Sequence, residues 1–329
     1  MVKGFPEHSN IEEYFCTSCE IHLISENVAD EINARVQGNL LCQKCNKRHP
    51  VINGIPRFVP SDTYAGSFGF QWNIHKKTQL DSYTGLPISR KRLFGVSNWP
   101  EQLTGQRILE AGSGAGRFTE VLVQTDAEVF SFDYSLAVEA NRLNNGGYSN
   151  LHLFQGDIFD IPFPGESFDK VICLGVLQHT PDPEQAFKQL SKQLKSGGEL
   201  VIDIYKENIL SRLRWKYLLR PATKRMDKEI LYRLVSNITP VLIPFTKQIR
   251  KIFGRAGARL SPIVEYTHLG LTAEINKEWA ILDTFDMYSP AYDNPRSLKT
   301  VRKWFVEAGF SEIVVQYGQN GIIGRGKKG

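Results

Sequence analysis

The sequence predicts an α/β protein in which a doubly wound, mostly parallel sheet carries a helical insertion and follows a small N-terminal module. Three observations support this prediction. From about Gly105, strand-like apolar runs alternate with amphipathic stretches of about 10 to 15 residues. The alternation stops between about Lys206 and Met287 and then resumes. Four of the five cysteines lie within the first 45 residues.

The alternating region predicts seven strands in chain order. Five come first, at RILEAG, EVFSFDYS, LHLFQGDI, FDKVICLGVLQH and ELVIDIY, with helices at GRFTEVLVQT, LAVEANRLNN and DPEQAFKQLSKQLKSGG. After the interruption, SLKTVRKWFVEAGF predicts a helix, while SEIVVQYG and GIIGRGKKG predict a closing pair of strands. Helices of this kind cover both faces of a parallel sheet, and ligands of open sheets lie beyond the carboxyl ends of the strands.

The same pattern predicts four regions. The N-terminal module ends in HPVINGIPRFVP, whose Gly54 and Pro56 indicate a turn between short strands. The predicted regions are the module at 1–60, a linker with cap helices at 61–104, the sheet domain at 105–205 and 288–329, and the basic helical insertion at 206–287.

Composition and charge indicate a packed globular protein with one basic segment. The 329 residues are 41% hydrophobic and 11% aromatic, and no signal peptide or membrane-spanning run is evident, so we expect a cytoplasmic location. The net charge of +5 hides an asymmetry: Lys206 to Leu260 holds 14 Lys and Arg against 3 acidic residues, and the rest holds 26 against 32. We expect the basic segment to face something anionic.

The stretch ILEAGSGAGRFTEVL is a glycine-rich turn between a strand and a helix. The dinucleotide fingerprint needs a third glycine where Arg117 stands, and the P-loop needs a Gly-Lys-Ser/Thr that is missing. The sequence has instead Glu110, Gly112, Gly114 and Gly116 at alternate positions. The glycines allow close approach of a ligand, and the carboxylate disfavours a phosphate and favours a cationic group.

Two further acids end the next strands. Asp133 suits hydrogen bonding to ribose hydroxyls, and Asp157 suits the exocyclic amine of adenine, with Ile158 against the ring. An adenosine that carries a positive charge and no phosphate describes S-adenosylmethionine.

With these motifs in place, the sequence resembles the class I S-adenosylmethionine-dependent methyltransferases, which have a Rossmann-like seven-stranded fold. The resemblance covers about 68–205 and 297–329, through LEAGSGAGRF, FDYS, GDIFDIPFPGESFDKVICLGVLQHTPDP and LKSGGELVIDIY. FGFQWNIHKKTQLD and DTFDMYSPAYDNPRS are similar to segments of bacterial methyltransferases from surface-glycan and secondary-metabolite gene clusters. The resemblance implies that the cofactor-binding residues are Glu110, Gly112, Gly114, Gly116, Asp133, Tyr134, Asp157, Ile158 and Leu174.

The cysteine module predicts a structural zinc site. Two Cys-x-x-Cys pairs, Cys16 with Cys19 and Cys42 with Cys45, can supply four thiolates to a tetrahedral Zn²⁺ with no open position. Disulfide pairing is the alternative. The module resembles the small zinc-ribbon proteins that activate tRNA and translation-factor methyltransferases, with His49 in place of a typical tyrosine, which implies a stabilising or substrate-positioning role. The fifth cysteine is predicted to be a small buried hydrophobe.

Methyl transfer from a sulfonium depends mainly on positioning the acceptor, and a base is needed only where the acceptor loses a proton. His179, at the end of the fourth strand, is the candidate base, with a positioning or structural role as the alternative. The candidate acceptor-binding residues are Asp203, Tyr205, His268, Asp286, Tyr288 and Tyr292.

The insertion opens with a predicted amphipathic basic helix. Arg212, Lys216 and Arg220 recur every four residues, beside an apolar stripe. Three uses remain open: a lid packed on the domain, contact with an anionic membrane or lipid-linked acceptor through Trp215 and the leucines, and contact with nucleic acid, the least favoured. The stripe consists of Leu210, Leu213 and Tyr217.

The sequence therefore predicts a methyltransferase that acts on oxygen, nitrogen or carbon of a small-molecule, glycan-precursor or lipid-linked acceptor. An RNA or protein methyltransferase that positions its substrate with the zinc ribbon is one alternative. A non-catalytic, zinc-containing scaffold that binds the cofactor is another.

Overall fold

The computed structural model describes residues 13–31, 35–60, 65–207, 215–258 and 260–329. The strands are β1 (Phe15–Cys16), β2 (Ile21–His22), β3 (Ile24–Glu31), β4 (Arg35–Leu41), β5 (Arg48–Ile52), β6 (Ile55–Pro56), β7 (Arg107–Ala111), β8 (Glu128–Asp133), β9 (Leu151–Gln155), β10 (Phe168–Cys173), β11 (Leu194–Ile204), β12 (Phe310–Gly318) and β13 (Gly321–Lys328). The α-helices are α1 (Gly66–Ile74), α2 (Asp81–Thr84), α3 (Ile88–Ser97), α4 (Thr119–Leu122), α5 (Ala137–Asn145), α6 (Pro183–Lys192), α7 (Trp215–Thr223), α8 (Lys228–Ala258), α9 (Ala273–Tyr288) and α10 (Leu298–Glu307).

Seven of these strands form the central sheet, in the order β12-β13-β11-β10-β7-β8-β9. The five strands from β11 to β9 are parallel, whereas β13 pairs antiparallel with both β11 and β12. The predicted fold class, a mostly parallel seven-stranded sheet with helices, is confirmed.

The middle strand β7 is where the strand order reverses. The chain runs outward from β7 to β8 and β9, then crosses back to form β10 on the other side of β7. Loops that leave neighbouring strands in opposite directions open a crevice at the carboxyl ends of those strands. The glycine-rich segment follows β7 directly and therefore lies at this crevice.

The sheet is buried on both faces because its inner strands are apolar at consecutive positions. Ile108 and Leu109 of β7 are both fully buried, yet they belong to separate hydrophobic clusters on opposite faces. Val129 of β8 joins the cluster of Ile108, and Phe130 joins that of Leu109. This arrangement is typical of a parallel sheet covered on both sides.

Helix α6 illustrates a predicted element whose start was correct and whose end was not. Asp182 caps it, with Oδ1 accepting the backbone N–H groups of Glu184 and Gln185, and a proline occupies its first position. The prediction extended the helix through Lys195 to Gly198, but it ends at Lys192. The chain leaves the helix because Leu194 is buried and pairs with β10.

Two other predicted boundaries differ from the structure. The predicted helix from Gly116 to Thr125 forms only α4 and a short 3-10 turn, which Asp126 ends with a φ of 60°. The fourth predicted strand ends at Cys173 because Gly175 takes a φ of 77°, and the chain then forms a 3-10 helix at Leu177–His179.

The N-terminal module packs against the free edge of β9. The backbone N–H of Phe58 donates to the carbonyl of Gln155, and that of Phe15 donates to the carbonyl of Pro162. The Tyr14 ring lies 5.7 Å from that of Phe154 in β9, and both side chains belong to one buried cluster. The module therefore shares its core with the sheet.

The insertion consists of α7, α8 and α9. Leu231 and Val235 of α8 pack against Ile281 and Phe285 of α9 in a small core of their own. Helix α8 breaks at Gly254, whose φ of 61° and ψ of −152° are accessible mainly to glycine. Within the described ranges, no helix has the length and apolar character needed to cross a bilayer. Leu210, Arg212 and Leu213 of the predicted basic helix lie outside the described residues.

Candidate active site

A cavity of about 870 Å³ opens at the carboxyl ends of β7, β8, β10 and β11. The helices α1 and α3 and the insertion contribute to its walls. Among the side chains and loops predicted from the sequence, those that line the cavity are Gly112, Gly114, Asp133, Tyr134, Leu174, His179, Tyr205, His268 and Asp286.

Two glycines of the glycine-rich loop meet different steric requirements. Gly114, with a φ of 55°, faces the cavity, and a Cβ there would lie 3.1 Å from the indole of Trp72. Gly116 does not line the cavity: a Cβ there would overlap Asn141 and Asn145 at 2.2 and 2.4 Å. Gly114 thus leaves room at the cavity wall, whereas Gly116 lets the loop pack on α5.

Asp133 is held in place by the same loop. Its Oδ2 accepts the backbone N–H of Gly114 at 2.9 Å, and its Oδ1 accepts the backbone N–H and the hydroxyl of Ser135 at 2.8 and 2.7 Å. Burial raises the pKa of this carboxyl, although the three hydrogen bonds oppose that shift. The result is a fixed carboxylate at the end of β8, on the cavity wall.

Glu110 lies behind the loop and not on the cavity wall. Its Oε2 accepts the hydroxyls of Thr119 and Ser131, while Oε1 is buried without a hydrogen-bond partner in the described part of the chain. Burial raises the pKa of Glu110 to about 7. The carboxylate thus contacts α4 and β8, and a contact between Glu110 and a cationic ligand remains a prediction.

The predicted adenine site is only partly at the cavity. Leu174 lines it, whereas Asp157 and Ile158 do not. Ile158 is buried in the core, and Oδ1 of Asp157 accepts the backbone N–H of Phe159 at 2.9 Å. An adenine contact by these two residues remains a prediction.

His179 lies on the cavity wall between two aromatic rings. Its ring centroid is 5.1 Å from that of Phe68 and 5.5 Å from that of Tyr205. Nδ1 lies 3.1 Å from the carbonyl oxygen of Tyr292, which can only accept, so the neutral ring carries its proton on Nδ1 and its lone pair on Nε2. Burial lowers the pKa of His179 and thereby favours the neutral ring.

The comparisons with known proteins agree with this geometry. Residues 109–202, which include the glycine-rich loop, Asp133 and His179, match the family described as a methyltransferase domain. The chain carries a methyltransferase domain.

Curated relatives match this methyltransferase domain and its surroundings over part of their length. An uncharacterized protein of Synechococcus is 38% identical over 146 residues, which are 42% of this chain and 32% of that protein. The ubiquinone biosynthesis O-methyltransferase of Idiomarina loihiensis is 31% identical over 130 residues, 38% of this chain and 53% of that enzyme. The chain thus spans about half or less of the curated relatives it matches.

Solved structures resemble the chain at low identity. A chain in the complex between the Trm112 methyltransferase activator of Haloferax volcanii and a methyltransferase gives a TM-score of 0.47 at 13% identity, over 79% of this chain and 96% of that one. Phosphoethanolamine N-methyltransferase 2 of Haemonchus contortus gives a TM-score of 0.42 at 18% identity, over 78% of this chain and 43% of that one.

Three of the residues predicted to bind the acceptor, Asp203, Tyr288 and Tyr292, do not line the cavity. Asp203 pairs with Arg92 at 2.6 Å and accepts the backbone N–H of Gly175 at 2.5 Å. Tyr288 donates its hydroxyl to a backbone carbonyl.

Other proposed acceptor residues do reach the wall. The ring of Tyr205 lies 4.4 Å from the ammonium of Lys216, which pairs with Asp293 at 2.8 Å. His268 lines the cavity and accepts a hydrogen bond from Arg250 at 2.8 Å.

A polar cluster that the sequence motifs did not indicate lies where the N-terminal helices meet α9. Arg117 donates to the side chain of Gln79 at 2.6 Å and lies 5.4 Å from the ring of Trp279; burial lowers its pKa to about 10. Asp283 accepts from Trp279 at 3.0 Å and from the hydroxyl of Tyr266, and burial raises its pKa to about 6. The FGFQWNIHKKTQLD and DTFDMYSPAYDNPRS segments were the available signal, but they did not indicate which side chains meet.

The four cysteines of the N-terminal module come together. The sulfurs of Cys16, Cys19, Cys42 and Cys45 lie within 4.8 Å of one another, and those of Cys16 and Cys45 are 4.0 Å apart. All are free thiols, which does not support the disulfide alternative. Cys173 is buried in β10, separate from this cluster.

Proposed function

We propose that the chain binds S-adenosylmethionine at the carboxyl ends of β7, β8 and β10 and transfers its methyl group to a small-molecule acceptor in the same cavity. The observation that carries this proposal is the carboxylate of Asp133. Three hydrogen bonds from Gly114 and Ser135 fix it on the cavity wall. Because a carboxylate offers about four lone-pair sites, it keeps acceptor capacity for ribose hydroxyls.

Other residues on the same wall of the cavity supply the remaining proposed cofactor contacts. Gly112 and Gly114 present backbone without side chains, Tyr134 flanks the carboxylate, and Leu174 offers an apolar surface for a ring. Glu110 and Gly116 shape the loop from behind it. These features suit an adenosine held without phosphate contacts, in line with the missing dinucleotide and P-loop patterns.

The chain's own part in the reaction is to position the acceptor and remove its proton. The bound cofactor supplies an activated methyl group on a sulfonium sulfur. Nε2 of His179 is the unprotonated nitrogen of a buried, neutral ring and is suited to accept a proton from a hydroxyl acceptor. Phe68 and Tyr205 hold the ring on either side.

The acceptor half of the cavity favours a ring. Its lining includes the aromatic side chains of Tyr205, Trp215, Tyr266 and Trp279. Relatives named as ubiquinone biosynthesis O-methyltransferases and as a 2-methyl-6-phytyl-1,4-hydroquinone methyltransferase are consistent with this class. We propose that the acceptor is a hydroxylated aromatic ring.

We also propose that the cysteine cluster holds a structural Zn²⁺. Tetrahedral zinc with Zn–S bonds of about 2.3 Å requires sulfurs about 3.8 Å apart. The Cys16 to Cys45 separation of 4.0 Å suits this requirement, and four protein ligands leave no open position. The metal would stabilise the module and take no part in methyl transfer.

A methyl-transfer assay tests the acceptor class. Labelled S-adenosylmethionine is incubated with the protein and with a panel of dihydroxybenzenes, hydroquinones and nucleotide sugars. We expect transfer to ring hydroxyls and none to sugars. Methylation of the sugars with no reaction of any ring would contradict the proposed acceptor, whereas failure to bind the cofactor would contradict the site itself.

A further inference from the structure

Helix α8 exposes an apolar stripe. Six of its apolar side chains recur every three, four or seven residues and are each 45% to 70% exposed. At 3.6 residues per turn they fall within an arc of about 80°. The neighbouring face, which carries Leu231 and Val235, packs on α9. This exposed stripe consists of Ile230, Leu234, Ile238, Val241, Phe245 and Ile252.

Basic side chains border the stripe. From Trp215 to Ala258 the chain has ten Lys and Arg and two acidic residues. Arg233, Lys247 and Lys251 are exposed on the flank of the stripe that lies away from the buried face. No ion pair within the described residues neutralises these three. The rest of the protein is slightly acidic, so the positive charge is confined to this region.

The insertion also contributes residues to the cavity of the candidate active site. Trp215 and Arg250 line it, and Arg250 precedes Ile252 by two residues. The Trp215 side chain is 45% exposed and donates to the carbonyl of Leu260, which is itself 70% exposed. The cavity therefore lies close, along the chain, to the C-terminal end of the stripe.

We propose that α8 docks on the surface of a bilayer rich in anionic phospholipid, with the exposed stripe in the interface and the flanking Lys and Arg at the headgroups. A helix with one apolar and one basic exposed face binds bilayers in this way. This inference does not rest on the proposed function. If both hold, the cavity lies close to the membrane surface, where a ring acceptor with an apolar tail resides.

Charge favours this occupant over two others. A two-fold dimer through the stripe would bring two basic flanks together, and like charges repel. A nucleic acid would match the charge but leaves the stripe exposed to water, because its backbone offers no apolar surface.

Vesicle co-sedimentation of the full chain tests the proposal. We expect binding to vesicles of phosphatidylcholine mixed equally with phosphatidylglycerol, loss of that binding at high salt, and little binding to phosphatidylcholine alone. Phe245→Glu with Ile252→Glu should lower the partition coefficient by roughly tenfold or more, because it places two charges in the stripe.

The matched control places the same charges on exposed apolar residues elsewhere. Leu143→Glu with Val306→Glu alters residues that are 68% and 59% exposed and should leave binding unchanged. Equal vesicle binding by both double variants would overturn the proposal. A wild-type dimer in sedimentation velocity that Phe245→Glu with Ile252→Glu dissociates, together with no vesicle binding, would assign the stripe to a second copy of the chain instead.

Discussion

At the scale of single residues, Asp133 and Glu110 are two buried carboxyl groups on neighbouring strands that differ in the hydrogen bonding of their oxygens. Asp133 accepts three hydrogen bonds, including one from the glycine-rich loop. Glu110 has one satisfied oxygen and one buried oxygen without a partner. The first can contact a ligand, whereas the second affects the stability of the fold.

Glu110 should make the stability of the protein depend on pH. Its folded pKa of about 7 lies above the unfolded value of 4.5, so the unfolded chain loses this proton first. The free energy of unfolding should therefore fall between about pH 5 and pH 8, by about 2 to 3 kcal/mol from this group. Denaturant unfolding of Glu110→Gln should show a smaller fall over that range. Glu101→Gln, at an exposed position, should behave as wild type, and an unchanged fall in Glu110→Gln would contradict the assignment.

His179 should govern the acid side of the activity profile. Because burial lowers its pKa, activity with a hydroxyl acceptor should decline only below the ordinary histidine range. His179→Asn should lower kcat by roughly 10²-fold or more and leave cofactor affinity unchanged. The control is His22→Asn, at an exposed position in the module. A pH profile that keeps its acid limb in His179→Asn would show that another group titrates.

At the scale of elements, the cysteine module supports the edge of the sheet. Phe15 contacts the segment after β9 through Pro162, and Thr17 donates to Asp160 at 2.5 Å. Asp157 lies in the same segment. The module therefore fixes the backbone next to one side of the predicted cofactor site.

Zinc loss should destabilise this edge. Cys42→Ser should abolish stoichiometric zinc in elemental analysis and lower the melting temperature by about 5 °C or more, because a small module has little core of its own. Cys173→Ala should retain one zinc per chain. Full zinc content in Cys42→Ser would rule out the four-cysteine site.

Element prediction succeeded where periodicity and capping agreed. Asp182, Pro183 and the apolar face of α6 indicated where that helix starts, and the continuous apolar run of β7 indicated a buried parallel strand. Helix and strand ends were wrong where a single residue decides between two structures. Leu194 is buried as the first residue of β11 and does not extend α6. Asp126, with a left-handed φ, ends the 3-10 turn that follows α4. Neither choice is visible without the packing.

At the scale of the whole molecule, three parts of the chain line the cavity: the N-terminal helices, the loops that follow the strands of the central sheet, and the insertion. The position of the glycine-rich loop and of Asp133 on the cavity wall could be predicted, because both follow neighbouring strands of one sheet. On the acceptor side, Tyr205, His268 and Asp286 were predicted and line the cavity. The cluster of Arg117, Gln79 and Asp283 could not be predicted, because these side chains meet only when the N-terminal helices and α9 pack together over the sheet. Which side of a loop a carboxylate faces, as with Glu110, also depends on that packing.

The central claim is that Asp133 holds S-adenosylmethionine at the switch point. Titration calorimetry of the wild type should give one site per chain, and Asp133→Asn should weaken it by roughly tenfold or more, because a charge-assisted hydrogen bond is lost. Asp126→Asn, at an exposed position, is the matched control and should bind as wild type, with thermal melts confirming that each variant is folded. Equal affinity in Asp133→Asn and Asp126→Asn, or no binding by the wild type, would contradict the account.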